Sequence, residues 1–337
     1  MQSMVRFMLV CVCFIAVWGL GHSVSYAAQN PADLNYGAHE LTKRFIDEMV
    51  EKHQFERKKL QALFSQAEKK DSILEAISRP AEKRLQWKGY RKIFLTDDRI
   101  KKGRAFAKKY RQTLERAEKK YGVPAHIITA ILGVETRYGR QKGGYRVVDA
   151  LSTLAFDYPP RSKFFRKELK ELLLLAREQD FDVLRLKGSY AGAMGYGQFI
   201  PSSYRAYAVD FDDDGIADIL NNPIDAIGSV ANYFAKHKWQ SGQAVAFQTE
   251  VNGGAYSALI HKKLLPSHTL EALKSAGVRV PDQYALSQPA KLQTLLGANG
   301  EEYWVTLQNF YVITRYNHSH LYAMAVYQLS QEVLISQ

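Results

Sequence analysis

Apolar residues recur at helical spacing through most of the first 240 residues of the chain. The i, i+3, i+4, i+7 pattern predicts amphipathic helices over 36–54, 56–68, 99–120, 125–138, 164–179 and 223–237. Between 241 and 309 the pattern changes to short β-rich runs broken by Gly, Pro and Asn, namely AVAFQTEV, GVRVP and LQTLLGANGEEYWVTLQNFYVI. Helical spacing returns over 319–336. The sequence therefore predicts an α+β chain that is mainly α, with a small β-domain inserted into a helical body.

One acidic residue interrupts the apolar face of the helix predicted over 125–138. Pro124 fits the first turn of this helix and Gly139 fits its C-cap, and one face is formed by Ile128, Ile131, Leu132 and Glu135. A carboxylate in the last turn of that face is desolvated and close to the helix carbonyls, and both effects are expected to raise its pKa. A carboxyl group that stays protonated near neutral pH can act as a general acid. We therefore expect Glu135 to be catalytic.

The first 30 residues have the layout of a secretory signal peptide. A single positive charge at Arg6 precedes an apolar run from Phe7 to Leu20, and small residues surround Ala27 and Ala28. An uncleaved membrane anchor is the alternative, but the run is shorter than the roughly 20 residues that a membrane span needs. We expect export of the chain, with cleavage after Ala27 or Ala28.

The cysteines and the net charge narrow the class of protein. Cys11 and Cys13, the only two cysteines, lie in the leader, so the mature chain can form no disulfide. Val10 and Val12 stand where a bacterial lipoprotein needs a small residue before the modified cysteine, which favours a soluble exported protein. Removing Arg6 from the 46 basic residues leaves 45 against 34 acidic ones, a net charge of +11. This charge favours an anionic partner, and export argues against nucleic acid.

A glycine-rich segment, KGSYAGAMGYGQFIPSSY, follows the predicted catalytic helix. Glycines at this density let a backbone approach a ligand closely. The segment is also rich in aromatic residues and poor in charge, which favours a binding loop over a solvated linker. It lacks the strand, lysine and helix context of a phosphate loop.

The segment DFDDDGIADILNNP has the spacing of an EF-hand calcium loop, with Gly215 at the sharp turn. Its ligand positions are filled by Asp210, Asp212, Asp214, Ile216 through its backbone carbonyl, Asp218 and Asn221. Asn221 stands at the last position, where such loops usually carry a bidentate Glu, so weaker binding or a different geometry is expected. An acidic turn without metal is the alternative. In an exported protein the role of calcium would be structural.

Tyrosines able to stack on sugar rings occur around RYNHSHLYAMAVYQL and elsewhere in the chain. The candidates, with one neighbouring amide, are Tyr90, Tyr190, Tyr233, Tyr316, Asn317 and Tyr322. Core packing explains any single one of them equally well. His318 and His320 have the spacing of a metal-binding pair, but no further ligand accompanies them.

Six motifs, in the same order, resemble the membrane-bound lytic murein transglycosylase B family of peptidoglycan-cleaving enzymes. They are GVETRYGR, LAFDYPPRSKFF, GSYAGAMGYGQFIPSSY, the Asp-rich loop, DAIGSVANYF and RYNHSHLYAMAV. The resemblance runs from about Leu41 to the C-terminus, and it implies a lysozyme-like helical core with an EF-hand-like loop. The expected parts are a signal peptide (1–27), an N-terminal α-domain (28–120), the catalytic core (121–240), a small β-domain (241–309) and a C-terminal helix returning to the core (310–337).

The resemblance also implies the site residues. Glu135 is expected to be the sole catalytic acid and base. The glycan groove is expected to be lined by Ser189, Gln198, Tyr233, Tyr316, Asn317, Tyr322, Tyr90 and Arg161. Within this set, Ser189 and Asn317 would hold acetamido groups, and Gln198 would orient Glu135 or the substrate. Pro160 replaces an arginine of some members and Phe164 stands where a tyrosine occurs, which affects sugar contacts rather than the chemistry.

The implied reaction cleaves the β-1,4 bond between N-acetylmuramic acid and N-acetylglucosamine and leaves a 1,6-anhydromuramoyl product. Hydrolytic glycosidases usually need two carboxylates, and no motif marks Asp149 or Asp157, the nearest in sequence, as the second. A lysozyme-type muramidase and a non-catalytic peptidoglycan-binding protein stay open as alternatives.

The expected setting is the periplasm, either free or associated with the outer membrane. We expect a monomer that takes peptidoglycan glycan strands as substrate, carries structural Ca²⁺ and no organic cofactor, and binds no nucleic acid. Protein partners are expected among cell-wall synthesis or remodelling proteins.

Overall fold

The computed structural model describes residues 35–79 and 85–334. The predicted signal peptide and both cysteines therefore lie outside the described residues. The helices are α1 (Glu40–His53), α2 (Arg57–Phe64), α3 (Asp71–Ser78), α4 (Trp87–Phe94), α5 (Asp97–Lys109), α6 (Arg111–Tyr121), α7 (Ala125–Thr136), α8 (Val147–Phe156), α9 (Ser162–Glu178), α10 (Pro201–Tyr207), α11 (Pro223–Lys236), α12 (Leu270–Ser275), α13 (Gln308–Tyr316) and α14 (His320–Leu334). The strands are β1 (Tyr145–Arg146), β2 (Lys187–Gly188), β3 (Ala246–Thr249), β4 (His268–Thr269), β5 (Pro289–Gly297) and β6 (Gly300–Thr306).

The described residues form two compact units. The first unit comprises 85–140 and 207–334, and the second comprises 35–79 and 141–206. In the described part of the chain, no helix combines the length and the apolar character needed to cross a membrane. The five-part division expected from the sequence stays a prediction.

Helix α7 is the central helix of the first unit. α14, α5, α6 and α11 all pack against it, and every residue from Ile127 to Thr136 is buried. The sequence predicted a single apolar face for this helix. That prediction was too narrow, because neighbours cover α7 on all sides and Glu135 is buried with the rest.

Helix α7 ends two residues earlier than its predicted limit at 138. Arg137 and Tyr138 both take left-handed backbone angles, with φ of 50° and 60°, and their N–H groups bond the carbonyls of Gly133 and Leu132. The Tyr138 ring then lies so close to Gly133 that a Cβ there would meet its hydroxyl at 2.6 Å. The helix therefore stops where the chain turns to bury a tyrosine, before the glycine that the sequence suggested as C-cap.

Most of the other predicted helices are present with shifted ends. The exception is 99–120, which is two helices, α5 and α6, separated at Tyr110 with φ −107° and ψ 26°. The two halves have different neighbours, since α5 packs on α7 and α14 whereas α6 packs on α7 and α11. Tertiary packing thus breaks a continuous helical pattern.

The first unit contains a four-stranded antiparallel sheet in the order β3-β6-β5-β4. One face packs on α12 through a core that includes Leu292, Val305 and Leu273. The opposite face carries Lys291 and Gln293 of β5, paired with Thr306 and Trp304 of β6. The predicted β character of this region is confirmed for these strands.

One of the three predicted β-rich runs, and the end of another, do not form strands. QNFYVI, at the end of the long run, belongs to α13, where Phe310, Val312, Ile313 and Tyr316 are buried at helical spacing. GVRVP contributes only an isolated bridge between Val278 and Val251. The β-branched residues suggested strands in both places, and packing in the first unit decided otherwise.

The second unit is built on the pair α8 and α9, with α3 packed on α8 and α1 on α2. An aromatic cluster fills its core, in which the rings of Tyr36, Phe45 and Phe64 all meet Phe156. The two-residue strands β1 and β2 pair in an antiparallel ribbon. This ribbon positions the start of the glycine-rich segment.

Candidate active site

Glu135 lies in the last turn of α7 and is 7% exposed. Helix α14 packs against α7 and brings the fully buried Tyr322, from its own first turn, to the carboxylate. The Tyr322 hydroxyl donates a 2.6 Å hydrogen bond to Glu135 Oε1. This hydrogen bond holds the buried carboxyl group in one orientation.

Three more of the predicted residues lie on α11 and at the end of α13. The Tyr233 hydroxyl donates to the Arg315 carbonyl at 2.6 Å, and its ring meets that of Tyr316 at a centroid distance of 4.8 Å. Asn317 follows as the C-cap of α13 and is 3% exposed. Burial raises the pKa of Tyr233, so its hydroxyl stays protonated and acts as a donor.

His237 is a residue of this group that the sequence reasoning missed. Its ring stacks on Tyr233 at a centroid distance of 4.0 Å, and its Nδ1 lies 2.8 Å from the Tyr233 carbonyl. The sequence feature that could have indicated His237 is its position four residues after Tyr233, at the C-cap of α11. Tyr90, on α4, is fully buried and packs on Phe94, with ring centroids 5.1 Å apart.

In the second unit, the glycine-rich segment is folded on itself. Ser189 is fully buried, and its Oγ accepts the N–H groups of Ala191 and Ala193 at 3.3 and 3.0 Å. Gln198 takes a left-handed φ of 50° and donates through Nε2 to the carbonyls of Gly195 and Lys142. The contacts of both side chains therefore hold the segment in shape, and their predicted contacts with substrate stay a prediction.

Arg161 lies in a short 3-10 helix of the second unit, Pro159–Arg161. Its guanidinium stands over the rings of Phe164 and Phe165, at 4.4 and 5.1 Å from their centroids. Burial lowers the pKa of Arg161, although the group stays charged. Phe164, one of the two departures from the family pattern, thus makes a cation–π contact with Arg161, which is itself a predicted glycan contact.

Asp149 and Asp157, the two carboxylates considered from the sequence as a second catalytic group, are engaged within the second unit. Asp149 is 2% exposed, pairs with Arg146 at 2.7 Å and accepts the Glu68 N–H at 2.9 Å. Asp157 accepts the Tyr36 hydroxyl at 2.6 Å and pairs with Lys69 at 2.9 Å. Both serve as structural links to the segment that includes residues 36–69, which agrees with the absence of a motif for a second catalytic carboxylate.

The acidic loop of the first unit has the shape of a cation site. Asp210, Asp212 and Asp214 each offer a carboxylate oxygen within 4.8 Å of the others. Asp210 also accepts the N–H groups of Asp214 and Gly215, and Gly215 takes the left-handed φ of 95° that the sharp turn needs. Ile216 and Asn221, the other two predicted ligands, are both exposed. The donor set fits a hard divalent cation with oxygen ligands.

Asp225 organises this loop and was missed from the sequence. It is fully buried, and its two carboxylate oxygens accept the N–H groups of Phe211 and Asp218 at 2.7 and 2.8 Å. Burial raises the pKa of Asp225, with the nearby Asp212 and Asp210 charges acting in the same direction. The sequence feature that could have indicated Asp225 is its position in the first turn of α11, three residues after the N-cap Asn222.

Comparison with known proteins gives matches over most of the chain. The family described as "Transglycosylase SLT domain" matches residues 37–331. The membrane-bound lytic murein transglycosylase B of Escherichia coli K12 is 45% identical over 304 residues, which cover 88% of this chain and 83% of that protein. The catenated lytic transglycosylase SltB1 of Pseudomonas aeruginosa is 52% identical with a TM-score of 0.85, covering 89% of this chain and 99% of its own. The Escherichia coli lytic transglycosylase Slt35 in complex with calcium is 44% identical with a TM-score of 0.80, covering 92% and 99%.

Proposed function

The chain belongs to the transglycosylase SLT domain family, and on this premise we propose that Glu135 is the single acid and base of a lytic murein transglycosylase. The substrate is the β-1,4 bond between N-acetylmuramic acid and N-acetylglucosamine in peptidoglycan. The observation that carries the proposal is the buried Glu135 with the Tyr322 hydroxyl 2.6 Å from its Oε1.

The reaction needs one carboxyl group in two protonation states. Protonated Glu135 first donates its proton to the glycosidic oxygen as the bond to C1 breaks. The acetamido oxygen of the muramoyl residue bonds to C1 and forms an oxazolinium ion. Ionised Glu135 then takes the proton of the 6-hydroxyl group, O6 bonds to C1, and the acetamido oxygen leaves. The product carries a 1,6-anhydro ring, water is not consumed, and Glu135 is protonated again.

The remaining site residues are proposed to bind the glycan. In the first unit, glycan contacts are proposed for Tyr233, Tyr316, Tyr90 and Asn317, and Tyr322 is proposed to orient Glu135. In the second unit, Ser189 and Gln198 shape the glycine-rich segment, and Arg161 offers a charged group. Asp149 and Asp157 are assigned to structure, which supports a reaction with one carboxylate over hydrolysis.

The product of sacculus digestion tests the proposed reaction. Purified protein should release muropeptides that end in 1,6-anhydromuramic acid, and mass spectrometry should find them lighter by one water than lysozyme products. Release of reducing muropeptides alone would assign the chain to the muramidases, and release of nothing would leave only glycan binding.

Removing the Tyr322 hydroxyl should slow the reaction without unfolding the protein. Tyr322→Phe loses the hydrogen bond that orients Glu135, and we expect kcat to fall about 10²-fold with a smaller change in KM. Tyr138→Phe is the matched control, because it removes a buried hydroxyl that donates to the backbone carbonyl of Arg99. Equal kcat losses in the two variants would mean that Tyr322 acts through stability alone.

We propose that the acidic loop holds a structural Ca²⁺ through Asp210, Asp212, Asp214, the Ile216 carbonyl and Asn221. The bound ion would hold the loop closed; it takes no part in cleavage. With Ca²⁺ at about 100 times its Kd, the stabilisation is about 2.7 kcal/mol, so the thermal midpoint should rise by several degrees. EGTA should reverse the rise, and Asp212→Ala should be insensitive to both. Identical midpoints of the parent protein in Ca²⁺ and EGTA would exclude a working site.

The similarity to lytic murein transglycosylases also supports a proposal for the cellular location of the protein. The curated relative is named as membrane-bound, and the chain acts on a polymer of the cell envelope. We propose export to the periplasm, where peptidoglycan strands are the partner.

A further inference from the structure

A cavity of about 640 Å³ lies in the first unit, far along α14 from Tyr322. It is bordered by the β5–β6 hairpin, α4 and the second half of α14. Its wall includes Arg91, Glu301, Glu302, Trp304, Tyr327 and Glu332. None of these residues is among those proposed for cleavage.

The cavity opens over the sheet face that carries the buried polar residues. Trp304 lines the cavity and pairs directly with Gln293 on β5, and directly paired residues project to the same face of a sheet. Gln293 is 4% exposed, yet its Nε2 has no hydrogen-bond partner among the described residues. A buried amide donor without a partner costs free energy. Gln293 therefore lies on the same sheet face as the cavity-lining Trp304, although it is not itself part of the cavity wall.

The rim of the cavity carries charges of both signs. Glu301, Glu302 and Glu332 form no ion pair with any described residue. Arg91 is likewise outside any ion pair in the described part of the chain, and its Nε donates to Gln328 at 2.8 Å. Glu301 accepts the Tyr303 hydroxyl at 2.8 Å and Glu302 accepts Trp304 Nε1, so both carboxylates are hydrogen-bonded but lack a cationic partner among the described residues.

These side chains favour one class of ligand. Stacking of a sugar ring on Trp304 is disfavoured, because Trp304 is only 8% exposed and its Nε1 already donates to Glu302 at 3.2 Å. A simple anion would be repelled by the three carboxylates, and a simple cation would leave the Arg91 guanidinium without an anionic partner. A group that carries an ammonium and a carboxylate on one carbon satisfies both, since the guanidinium binds carboxylates bidentately.

We propose that this cavity binds the zwitterionic end of a diamino acid in a peptidoglycan stem peptide. The inference rests on the proposed function, which brings the chain onto peptidoglycan. The ammonium group would contact Glu301 and Glu302, and the carboxylate would contact Arg91. The cavity would then recognise stems whose side-chain end is not cross-linked, because cross-linking turns the ammonium into an amide.

Two tripeptides that contain no glycosidic bond test the site separately from cleavage. L-alanyl-γ-D-glutamyl-meso-diaminopimelate carries both an ammonium and a carboxylate at its side-chain end. The matched peptide with L-lysine carries only the ammonium at that end. In calorimetric titrations of the full chain, the diaminopimelate peptide should saturate and bind at least about tenfold more tightly than the lysine peptide.

Substitutions in the cavity wall test whether these residues cause the difference in affinity between the two peptides. Arg91→Gln should weaken binding of the diaminopimelate peptide about tenfold and leave the lysine peptide unchanged. The double variant Glu301→Gln, Glu302→Gln should weaken both peptides. Glu271→Gln, an exposed carboxylate on α12 of the same small domain, is the control and should bind like the parent. Equal affinity for the two peptides, no saturation at millimolar peptide, or an unchanged Arg91→Gln variant would overturn the proposal, whatever the outcome of sacculus digestion.

Discussion

Glu135→Gln is expected to lower the turnover of peptidoglycan by at least about 10³-fold, because the variant can neither donate nor accept the transferred proton. The amide has nearly the same shape, and its oxygen can still accept the Tyr322 hydroxyl that lies 2.6 Å from Glu135 Oε1. The fold and the binding of glycan fragments should therefore persist. Initial rates of muropeptide release, with the thermal midpoint and the fragment Kd measured beside them, check the prediction.

The matched control is Glu168, the other buried glutamate among the described residues. Glu168 on α9 accepts the N–H and hydroxyl of Ser202 at 3.0 and 2.8 Å, so it caps the start of α10. Glu168→Gln should lose stability of about 1 kcal/mol and keep turnover within a few-fold of the parent. A Glu135→Gln variant with turnover as high as that control would remove Glu135 from its catalytic role.

Lys291→Met is expected to stabilise the first unit by about 2–3 kcal/mol at neutral pH. Lys291 is 4% exposed on β5, and its only close polar partner in the described residues is Gln293 Oε1, at 3.5 Å. Burial lowers the pKa of Lys291 from 10.5 to about 8. At pH 7 the folded protein therefore carries a buried ammonium group that favours the unfolded chain, and an isosteric apolar side chain removes this penalty.

The pH dependence follows from the direction of that shift. Between about pH 8 and pH 10.5 the unfolded chain holds the Lys291 proton more tightly than the folded protein does. The free energy of unfolding of the parent should therefore rise across this interval relative to that of Lys291→Met, and the advantage of the variant should shrink. Urea unfolding at several pH values measures the difference. Lys274→Met, at an exposed position of α12, should stay within about 0.5 kcal/mol of the parent at every pH, and the same result for Lys291→Met would refute the prediction.

The sequence predicted what depends on short, local patterns. The position of Glu135 near the end of a buried helix and the spacing of the acidic loop both lie within a dozen or so residues, and both are present. The contact between Glu135 and Tyr322 joins residues 187 positions apart. Helical periodicity cannot pair such residues: the sequence offered Tyr322 as a possible sugar-stacking tyrosine and, through the family resemblance, as a groove residue, but it did not predict the contact with Glu135.

Features decided by packing between elements could not be predicted in the same way. Lys291 and Gln293 alternate with Ala290 and Leu292, a pattern typical of a strand with one solvated face. Both polar residues are nevertheless buried, because α4 packs against β5 and the Tyr327 ring of α14 covers Trp304. The helix at Gln308–Tyr316 was missed for a related reason, since β-branched residues pack as well on a helix in a core as on a strand.

Digestion of sacculi in water enriched in heavy oxygen tests most directly whether one carboxylate acts as acid and then as base. An internal 6-hydroxyl group closes the ring in the proposed reaction, so the anhydro-muropeptides should contain no heavy oxygen from the solvent, and Glu135→Gln should release none of them. Incorporation of one heavy oxygen at the reducing end of each product would show that water attacks C1, and it would contradict the account.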